Sequence, residues 1–154
     1  MSEDKYRAAL DMAAKQLSYR ALSAKMLRDK LLAKGHDEEA ADYALAWLTE
    51  RSLLNDMLFA ESVVRGYTRK GYGAARIRQM LYAKHIPREL WDEALAELPE
   101  QDDAIDAFLQ KRFRGRQPDC TEIRRAADAL LRRGHAWGDI RRALERYDPD
   151  LPEE

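Results

Sequence analysis

The chain has 154 residues, of which 45% are apolar and 36% are charged, with 7 glycines and 5 prolines. This composition predicts a soluble helical protein with highly charged surfaces and excludes disorder of the whole chain. The single cysteine, Cys120, excludes an internal disulfide and suits a reducing compartment. No apolar run approaches the roughly 20 residues that a membrane span requires, and residues 1–5 have neither the basic region nor the apolar region of a secretory signal peptide. We therefore expect a cytoplasmic protein that acts as a monomer.

The formal net charge of −1 argues against a protein that binds DNA avidly through charge alone. The charges are nevertheless unevenly distributed. Residues 65–84 contain six basic side chains and no acidic ones, residues 89–106 contain eight acidic side chains and no basic ones, and the last third is again rich in arginine. We interpret the acidic zone as a solvated face that repels DNA or meets a basic partner.

The first fifty residues predict three amphipathic helices, because their apolar residues recur at the i, i+3, i+4 spacing. The first helix carries the apolar residues between positions 9 and 17. The second, over residues 22–31, has Ser23 at its N-cap and Gly35 beyond its end, where a left-handed residue terminates a helix. Asp37 caps the third helix, whose apolar face runs from Ala41 to Leu48.

The remaining hundred or so residues repeat this order twice. Asn55-Asp56 opens a helix that Gly71-Tyr72-Gly73 ends, a second helix spans residues 74–84, and Pro87 begins a third. Further helices are predicted around residues 104–109, 123–131 and 137–144, with a longer basic connection over residues 114–118. No segment shows the alternation of a β-strand better than it shows the helical period.

One pattern recurs through all three segments. Leu31, Leu81 and Leu130 are separated by 50 and 49 residues, and fourteen residues after each of them comes a leucine that follows an alanine. A period in this range indicates an array of units that bury apolar faces against their neighbours and present long surfaces to partners. We predict an all-α fold of three tandem three-helix units, resembling helix-turn-helix repeats, in an elongated, curved array. The units are residues 1–53, 54–100 and 101–148, and a disordered tail covers 149–154.

The chain resembles the RecX family of RecA recombinase regulators. The resemblance is carried by Arg69-Lys70-Gly71-Tyr72-Gly73-Ala74-Ala75-Arg76-Ile77-Arg78-Gln79-Met80-Leu81, preceded by Leu54-Asn55-Asp56 and Phe59-Ala60. The family's Arg-x-x-Ser and Leu-x-x-Lys-Leu-x-x-Lys-Gly signatures fall on Arg20, Ser23, Leu27, Lys30, Leu31, Lys34 and Gly35. Asn55, Met80 and His85 depart from the family pattern; asparagine and histidine tolerate a positive φ, so the backbone is expected to be unchanged at the first and last of these.

The resemblance covers essentially the whole chain, and it implies a protein that lies in the helical groove of the RecA filament on single-stranded DNA. Such a protein suppresses ATP hydrolysis and strand exchange and limits filament growth, in the setting of DNA repair, homologous recombination and the SOS response. It works by binding and obstruction, without chemistry of its own.

The candidate contact surfaces are two groups of cations. The central basic stripe comprises Arg69, Lys70, Arg76, Arg78 and Lys84, and the arginine pairs are Arg124/Arg125, Arg132/Arg133 and Arg141/Arg142. Arginine binds phosphate and carboxylate equally well through its fork, so either DNA or an acidic protein surface suits these residues. The alternative is a solvated helix face, or pairing with nearby carboxylates. Tyr72 joins the candidates because its position between two glycines favours exposure.

The sequence offers little for catalysis. His36, His85 and His135 fall at helix ends, where an imidazole can meet the last carbonyls, and no second ligand recurs at metal-binding spacing. Trp47, Trp91 and Trp137 occupy similar places in the three repeats and are expected in the core. We predict no enzyme activity, no metal and no cofactor.

A second hypothesis is a direct nucleic-acid-binding helical module, which resembles helix-turn-helix folds by shape alone. The salt dependence of binding discriminates the two hypotheses, because contacts to many phosphates impose a steep loss of affinity with salt. A secondary affinity for DNA through the basic zones is compatible with the first hypothesis.

Overall fold

A computed structural model describes residues 2–96, 98 and 101–149. These residues form helices, turns and irregular connections, with no β-strand among them. The prediction of an all-α fold is therefore confirmed. No helix in the described part of the chain combines the length and apolarity that crossing a bilayer requires. Most of the predicted tail, residues 150–154, lies outside the described residues.

The helices follow one another in three groups of three, as the repeat predicts. Their bounds are α1 Ser2–Tyr19, α2 Ala24–Ala33, α3 Glu38–Glu50, α4 Asp56–Arg69, α5 Ala74–Ala83, α6 Trp91–Leu95, α7 Gln101–Phe113, α8 Cys120–Arg132 and α9 Trp137–Leu144. Helix α6 is preceded by a single 3-10 turn, Arg88–Leu90, with Pro87 at its N-cap. The third helix of the second repeat is thus shorter than its counterparts, and Leu90 is only half-buried.

The second helix of every repeat ends in the same way. Gly35, His85 and Gly134 each have a left-handed φ, of 96°, 56° and 92°. The residue after each of them donates its amide hydrogen to the carbonyl of Leu31, Leu81 or Leu130, at an N···O distance of 3.1 Å in all three cases. This bond closes a Schellman C-cap. The recurring leucines therefore mark a repeated helix terminator, and histidine serves in the second repeat where glycine serves in the others.

The described residues cluster into two compact units. The first contains residues 2–62 and 81–94, and the second contains residues 63–80, 95–96, 98 and 101–149. The division passes through α4 and α5, so the second repeat contributes to both units. The predicted repeat boundaries at residues 53/54 and 100/101 remain predictions.

The core of the first unit lies between α1, α2 and α3. Its fully buried side chains include Leu27, Leu31 and Leu48, with Trp47 packed at its edge. Both predicted caps are confirmed, because Ser23 Oγ accepts the amide of Met26 at 3.2 Å and Asp37 Oδ1 accepts that of Ala40 at 2.8 Å. Trp91 of the same unit is buried, and its indole nitrogen donates to the carbonyl of Ile86.

The core of the second unit lies between α7, α8 and α9. Its fully buried side chains are Ile105, Leu109, Phe113, Leu130, Ile140 and Leu144. Tyr147 closes one side with its ring edge-on to Phe113, at a centroid distance of 4.9 Å, and Trp137 packs against the periphery. Helix α8 begins with a capping box in which Asp119 and Glu122 satisfy each other's backbone amides.

Candidate functional site

Two loops of the second unit are joined by backbone hydrogen bonds. The α4–α5 loop meets the α8–α9 loop where the amide of Gly73 donates to the carbonyl of Arg133 (2.7 Å) and the amide of Ala75 donates to that of Gly134 (3.2 Å). The guanidinium of Arg133 returns a bond to the carbonyl of Lys70, at 3.0 Å. We call residues 70–75 and 133–135 the loop junction. It sets the positions of the candidate residues at the start of α5.

The junction admits no side chain at either of its central glycines. A Cβ atom on Gly73 would lie 2.5 Å from the carbonyl carbon and oxygen of Gly134, and one on Gly134 would lie 2.3 Å from the amide nitrogen of Arg76. These are distances to backbone atoms, which cannot rotate away as a side chain can. The Gly71-Tyr72-Gly73 sequence therefore does more than end a helix, because Gly73 allows the backbone of the α4–α5 loop to contact that of the α8–α9 loop.

His135 is buried in the junction, with Nε2 2.9 Å from the carbonyl oxygen of Gly71. Since a carbonyl only accepts, Nε2 donates this hydrogen bond, and Nδ1 is buried with no hydrogen-bond partner in the described residues. The sequence-based expectation that this imidazole caps its own helix is wrong. It bonds instead to a loop more than sixty residues earlier in the chain.

Tyr72 is half-buried, so the expectation that its position between two glycines leaves it exposed is wrong. Its ring lies edge-on to Tyr67 at a centroid distance of 5.4 Å, and the guanidinium carbons of Arg133 and Arg76 lie 5.6 and 6.0 Å from its centroid. Cations near an aromatic ring are held in place by its quadrupole. Tyr82 is the exposed tyrosine of this segment, with 68% of its surface accessible.

The members of the central basic stripe have different surroundings. Arg69 and Lys70 are exposed at the end of α4, with the Lys70 ammonium 5.2 Å from the Tyr67 ring. Arg76 is half-buried and donates to Gln79 Oε1 at 3.0 Å, whereas Arg78 is exposed. Lys84 belongs to the first unit, where its ammonium lies 5.9 Å from the ring of Phe59.

The arginine pairs divide into exposed and engaged side chains. Arg124, Arg125 and Arg132 are exposed on α8, and none of them forms an ion pair within the described part of the chain. Arg133 belongs to the loop junction. Arg141 pairs with Glu145 at 2.9 Å, as expected for a neutralising contact.

Arg142 is the most strongly paired of these arginines. Its guanidinium lies 3.5 Å from Asp102 and also contacts Asp139. The carboxylate of Asp102, followed by that of Asp139, raises the pKa of Arg142. Nearby, Arg146 pairs with Asp106 at 3.4 Å. The acidic zone is thus not only a solvated face, since Asp102 pairs with Arg142 of α9 and Asp106 pairs with Arg146, which follows that helix.

Five of the six residues that line a basic groove in the second unit were not among the candidates selected from the sequence; Arg133 is the exception. The groove has a volume of about 650 Å³ and is lined by Phe108, Lys111, Arg112, Arg114, Arg116 and Arg133. Residues 107–118 contain four basic side chains and no acidic ones, a signal visible in the sequence. The contribution of Arg133 was not visible, because that residue reaches the groove from the end of another helix. Among the described residues, no cluster of His, Cys, Asp or Glu fits a metal ion.

Comparison with known proteins assigns the chain to a family. Family models described as the first and second three-helix domains of RecX match residues 9–48 and 55–95. Regulatory protein RecX of Stenotrophomonas maltophilia strain R551-3 is 40% identical over 131 residues, which are 83% of this chain and 79% of that protein. Regulatory protein RecX of Vibrio parahaemolyticus is 32% identical over 126 residues, covering 80% and 81%. The chain belongs to the RecX family.

Solved RecX structures share the fold. The crystal structure of RecX from Lactobacillus salivarius superposes with a TM-score of 0.84 at 22% identity, covering 96% of this chain and 99% of that one. A second crystal structure of regulatory protein RecX gives a TM-score of 0.78 at 23% identity, covering 97% and 75%. The all-α fold of this chain is thus the fold of these two RecX structures.

Several RecX signature residues of the first repeat have structural roles in this chain. Ser23 is fully buried and caps α2, Leu27 and Leu31 are fully buried, and Gly35 takes the left-handed φ that ends the helix. At Asn55, where the sequence departs from the family pattern, Oδ1 accepts the amide of Leu58 at 3.1 Å. That is the bond an aspartate at an N-cap would accept, so the departure leaves the start of α4 intact.

Proposed function

We propose that this chain regulates, and mainly inhibits, the RecA recombinase by binding as a monomer in the groove of the RecA filament on single-stranded DNA. The main support for this proposal is that the chain belongs to the RecX family of regulatory proteins. Bound there, it suppresses ATP hydrolysis, strand exchange and filament growth by obstruction. No catalytic step of its own is part of this mechanism.

The proposed contacts are the exposed cations of the candidate set. Arg124, Arg125 and Arg132 present charges with no carboxylate partner in the described residues, and Arg69 does so at the end of α4. An arginine that has no ion pair within the chain does not have to break one when it binds an anionic group of a partner. These four residues are therefore the ones we expect to contribute most to filament binding.

The other candidates are proposed to act less directly. Tyr72 and Arg133 hold the loop junction, and Arg76 is oriented by Gln79 and Tyr72. We propose that they position the basic surface. Arg141 and Arg142 already have carboxylate partners and are expected to contribute least, while Lys70, Arg78 and Lys84 complete the contact set.

The test is single-stranded-DNA-dependent ATP hydrolysis by RecA from the same organism, measured against increasing amounts of this protein. We expect inhibition well below one molecule per RecA protomer. For the variant Arg69→Glu/Arg124→Glu/Arg125→Glu, the concentration that gives half-inhibition should be higher by about tenfold or more. Each exposed charge contact contributes about 0.2–1 kcal/mol, and reversing the charge adds repulsion.

The matched control is Arg7→Glu/Lys15→Glu/Lys34→Glu, which makes the same change in net charge at exposed positions outside the candidate set. It should inhibit like the wild type. Equal losses in both variants would assign the effect to net charge and refute the proposed contacts. Absence of inhibition by the folded wild-type protein would refute the regulation of RecA itself.

A further inference from the structure

The basic groove of the second unit concentrates positive charge, most of which has no carboxylate partner in the described part of the chain. Five of its six lining side chains are cationic, and none is acidic. Lys111, Arg112 and Arg114 form no ion pair in the described part of the chain. Only Arg116 reaches a carboxylate, that of Glu122 at 3.4 Å, and its side chain remains 65% exposed. Like charges held this closely repel one another, and a ligand of dense negative charge relieves that repulsion.

The groove also holds part of its charge in fixed positions. The guanidinium carbons of Arg133 and Arg112 lie 5.3 and 5.7 Å from the centroid of the Phe108 ring. Arg133 is further held by its bond to the carbonyl of Lys70. The ring therefore serves as a platform for guanidinium groups, which leaves charge, and not base stacking, as the basis of recognition.

We propose that this groove binds the phosphodiester backbone of nucleic acid, without base specificity. Guanidinium forks match phosphate oxygens, and a nucleic-acid strand carries a phosphate for each nucleotide, a denser and more regular charge than an ordinary acidic peptide provides. Five of the six residues, Phe108, Lys111, Arg112, Arg114 and Arg116, lie outside the surface proposed to contact RecA. The inference does not rest on that proposal.

The salt dependence of binding gives a quantitative expectation. Each phosphate that a cation neutralises on a single strand contributes about −0.7 to the slope of log affinity against log salt. Loss of the three unpaired cations should therefore make the slope less steep by about 2. Between about 50 and 200 mM NaCl, the wild type should lose roughly twenty-fold more affinity than the variant.

The experiment is fluorescence anisotropy of a fluorescein-labelled oligothymidylate titrated with the full chain at several salt concentrations. The test variant is Lys111→Gln/Arg112→Gln/Arg114→Gln, and the charge-matched control is Arg7→Gln/Lys15→Gln/Lys34→Gln at exposed positions of the first unit. We expect the smaller slope only in the test variant. Circular dichroism verifies that the variants are helical, and the single variant Lys111→Gln, with an expected slope change of about 0.7, covers failure of the triple variant to fold.

Two outcomes would overturn the inference. Equal slopes for the test and control variants would show that net charge, and not the groove, governs the affinity. Displacement of the labelled strand by poly-glutamate as effectively as by unlabelled oligothymidylate of equal charge would show a general polyanion site. Since no RecA is present, either outcome leaves the proposed regulation of RecA untouched, and loss of RecA inhibition leaves this inference untouched.

Discussion

Gly73 and Gly134 are the glycines at which an added Cβ atom would lie closer than 3.0 Å to backbone atoms. The alanine variant Gly73→Ala forces a methyl group against the backbone of Gly134, and Gly134→Ala adds the strain of a left-handed φ. We expect each to lower the free energy of unfolding by about 1–3 kcal/mol, measured by urea denaturation.

Gly66 offers a matched control for these variants. It lies inside α4, and a Cβ atom there would meet nothing within 4 Å. Gly66→Ala should raise the stability by about 0.5–1 kcal/mol, because alanine is the better helix former. If Gly73→Ala also proved neutral or stabilising, the close approach of the two loops would be refuted.

Asp37 predicts a dependence of stability on pH in the first unit. The amide of Ala40 and then the ammonium of Lys5, at 2.9 Å, hold the pKa of its carboxyl below the ordinary value of 3.8. A lowered folded-state pKa contributes stability above the ordinary value that is lost as pH falls through the folded value. Asp37→Asn keeps an acceptor for the cap but loses the charge. The wild type should therefore melt at a higher temperature than this variant at neutral pH, and the difference should shrink as the pH falls below 3.8 and disappear once the pH is below the lowered folded-state pKa. A difference that persisted at low pH would contradict this account.

Local features were predictable at this scale and distant ones were not. The caps at Ser23 and Asp37 and the positive φ at His85 follow from residues adjacent in the chain. The contact of Tyr72 with Arg133, sixty-one residues away, could not be predicted from any local sequence pattern.

At the scale of elements, His135 links the α8–α9 loop to the α4–α5 loop. His135→Ala removes the donor to the carbonyl of Gly71 and should lower the free energy of unfolding by about 1–3 kcal/mol. The amides of Gly73 and Ala75, which donate to the neighbouring loop, should exchange with solvent faster in this variant. Hydrogen exchange monitored by NMR measures both.

His36 is the control for this prediction, because it occupies the same place in the first repeat and its imidazole makes no hydrogen bond in the described residues. His36→Ala should change stability by less than about 0.5 kcal/mol. Equal effects at the two positions would mean that the bond to Gly71 contributes nothing.

The helices themselves were largely predictable, since amphipathic spacing and caps define them within one chain segment. Two features were not. The 3-10 turn at Arg88–Leu90 shortens α6 although the sequence pattern of the repeat continues. The basic groove combines residues 108–116 with Arg133, so it exists only once α7 and α8 are packed together.

At the scale of the whole molecule, the second repeat is shared between two compact units. Six buried residues of this repeat are divided between the units: Leu81, Ile86 and Trp91 belong to the first, and Val63, Val64 and Ile77 belong to the second. A fragment of residues 54–100 would separate both groups from the rest of their units. We expect it to give the circular dichroism of an unfolded chain, because so small a piece buries too little apolar surface.

A fragment of residues 1–96 contains every described residue of the first unit. It should retain helical structure and unfold cooperatively on heating. Cooperative unfolding of the 54–100 fragment would show instead that the repeat is an independent domain. The sequence period predicted the repeat correctly, but periodicity does not reveal which buried faces group together. The elongated, curved arrangement stays a prediction.

Arg114 joins the basic groove from a backbone conformation that suits its residue type poorly. Its φ of 50° is left-handed, and a residue with a side chain in that conformation lowers the free energy of unfolding by about 1 kcal/mol relative to glycine. Replacing it by glycine should therefore make the protein more stable and its groove less basic at once. Selection for stability alone would favour that replacement, so thermal screening for more stable variants of this chain will tend to remove the positive charge at this position.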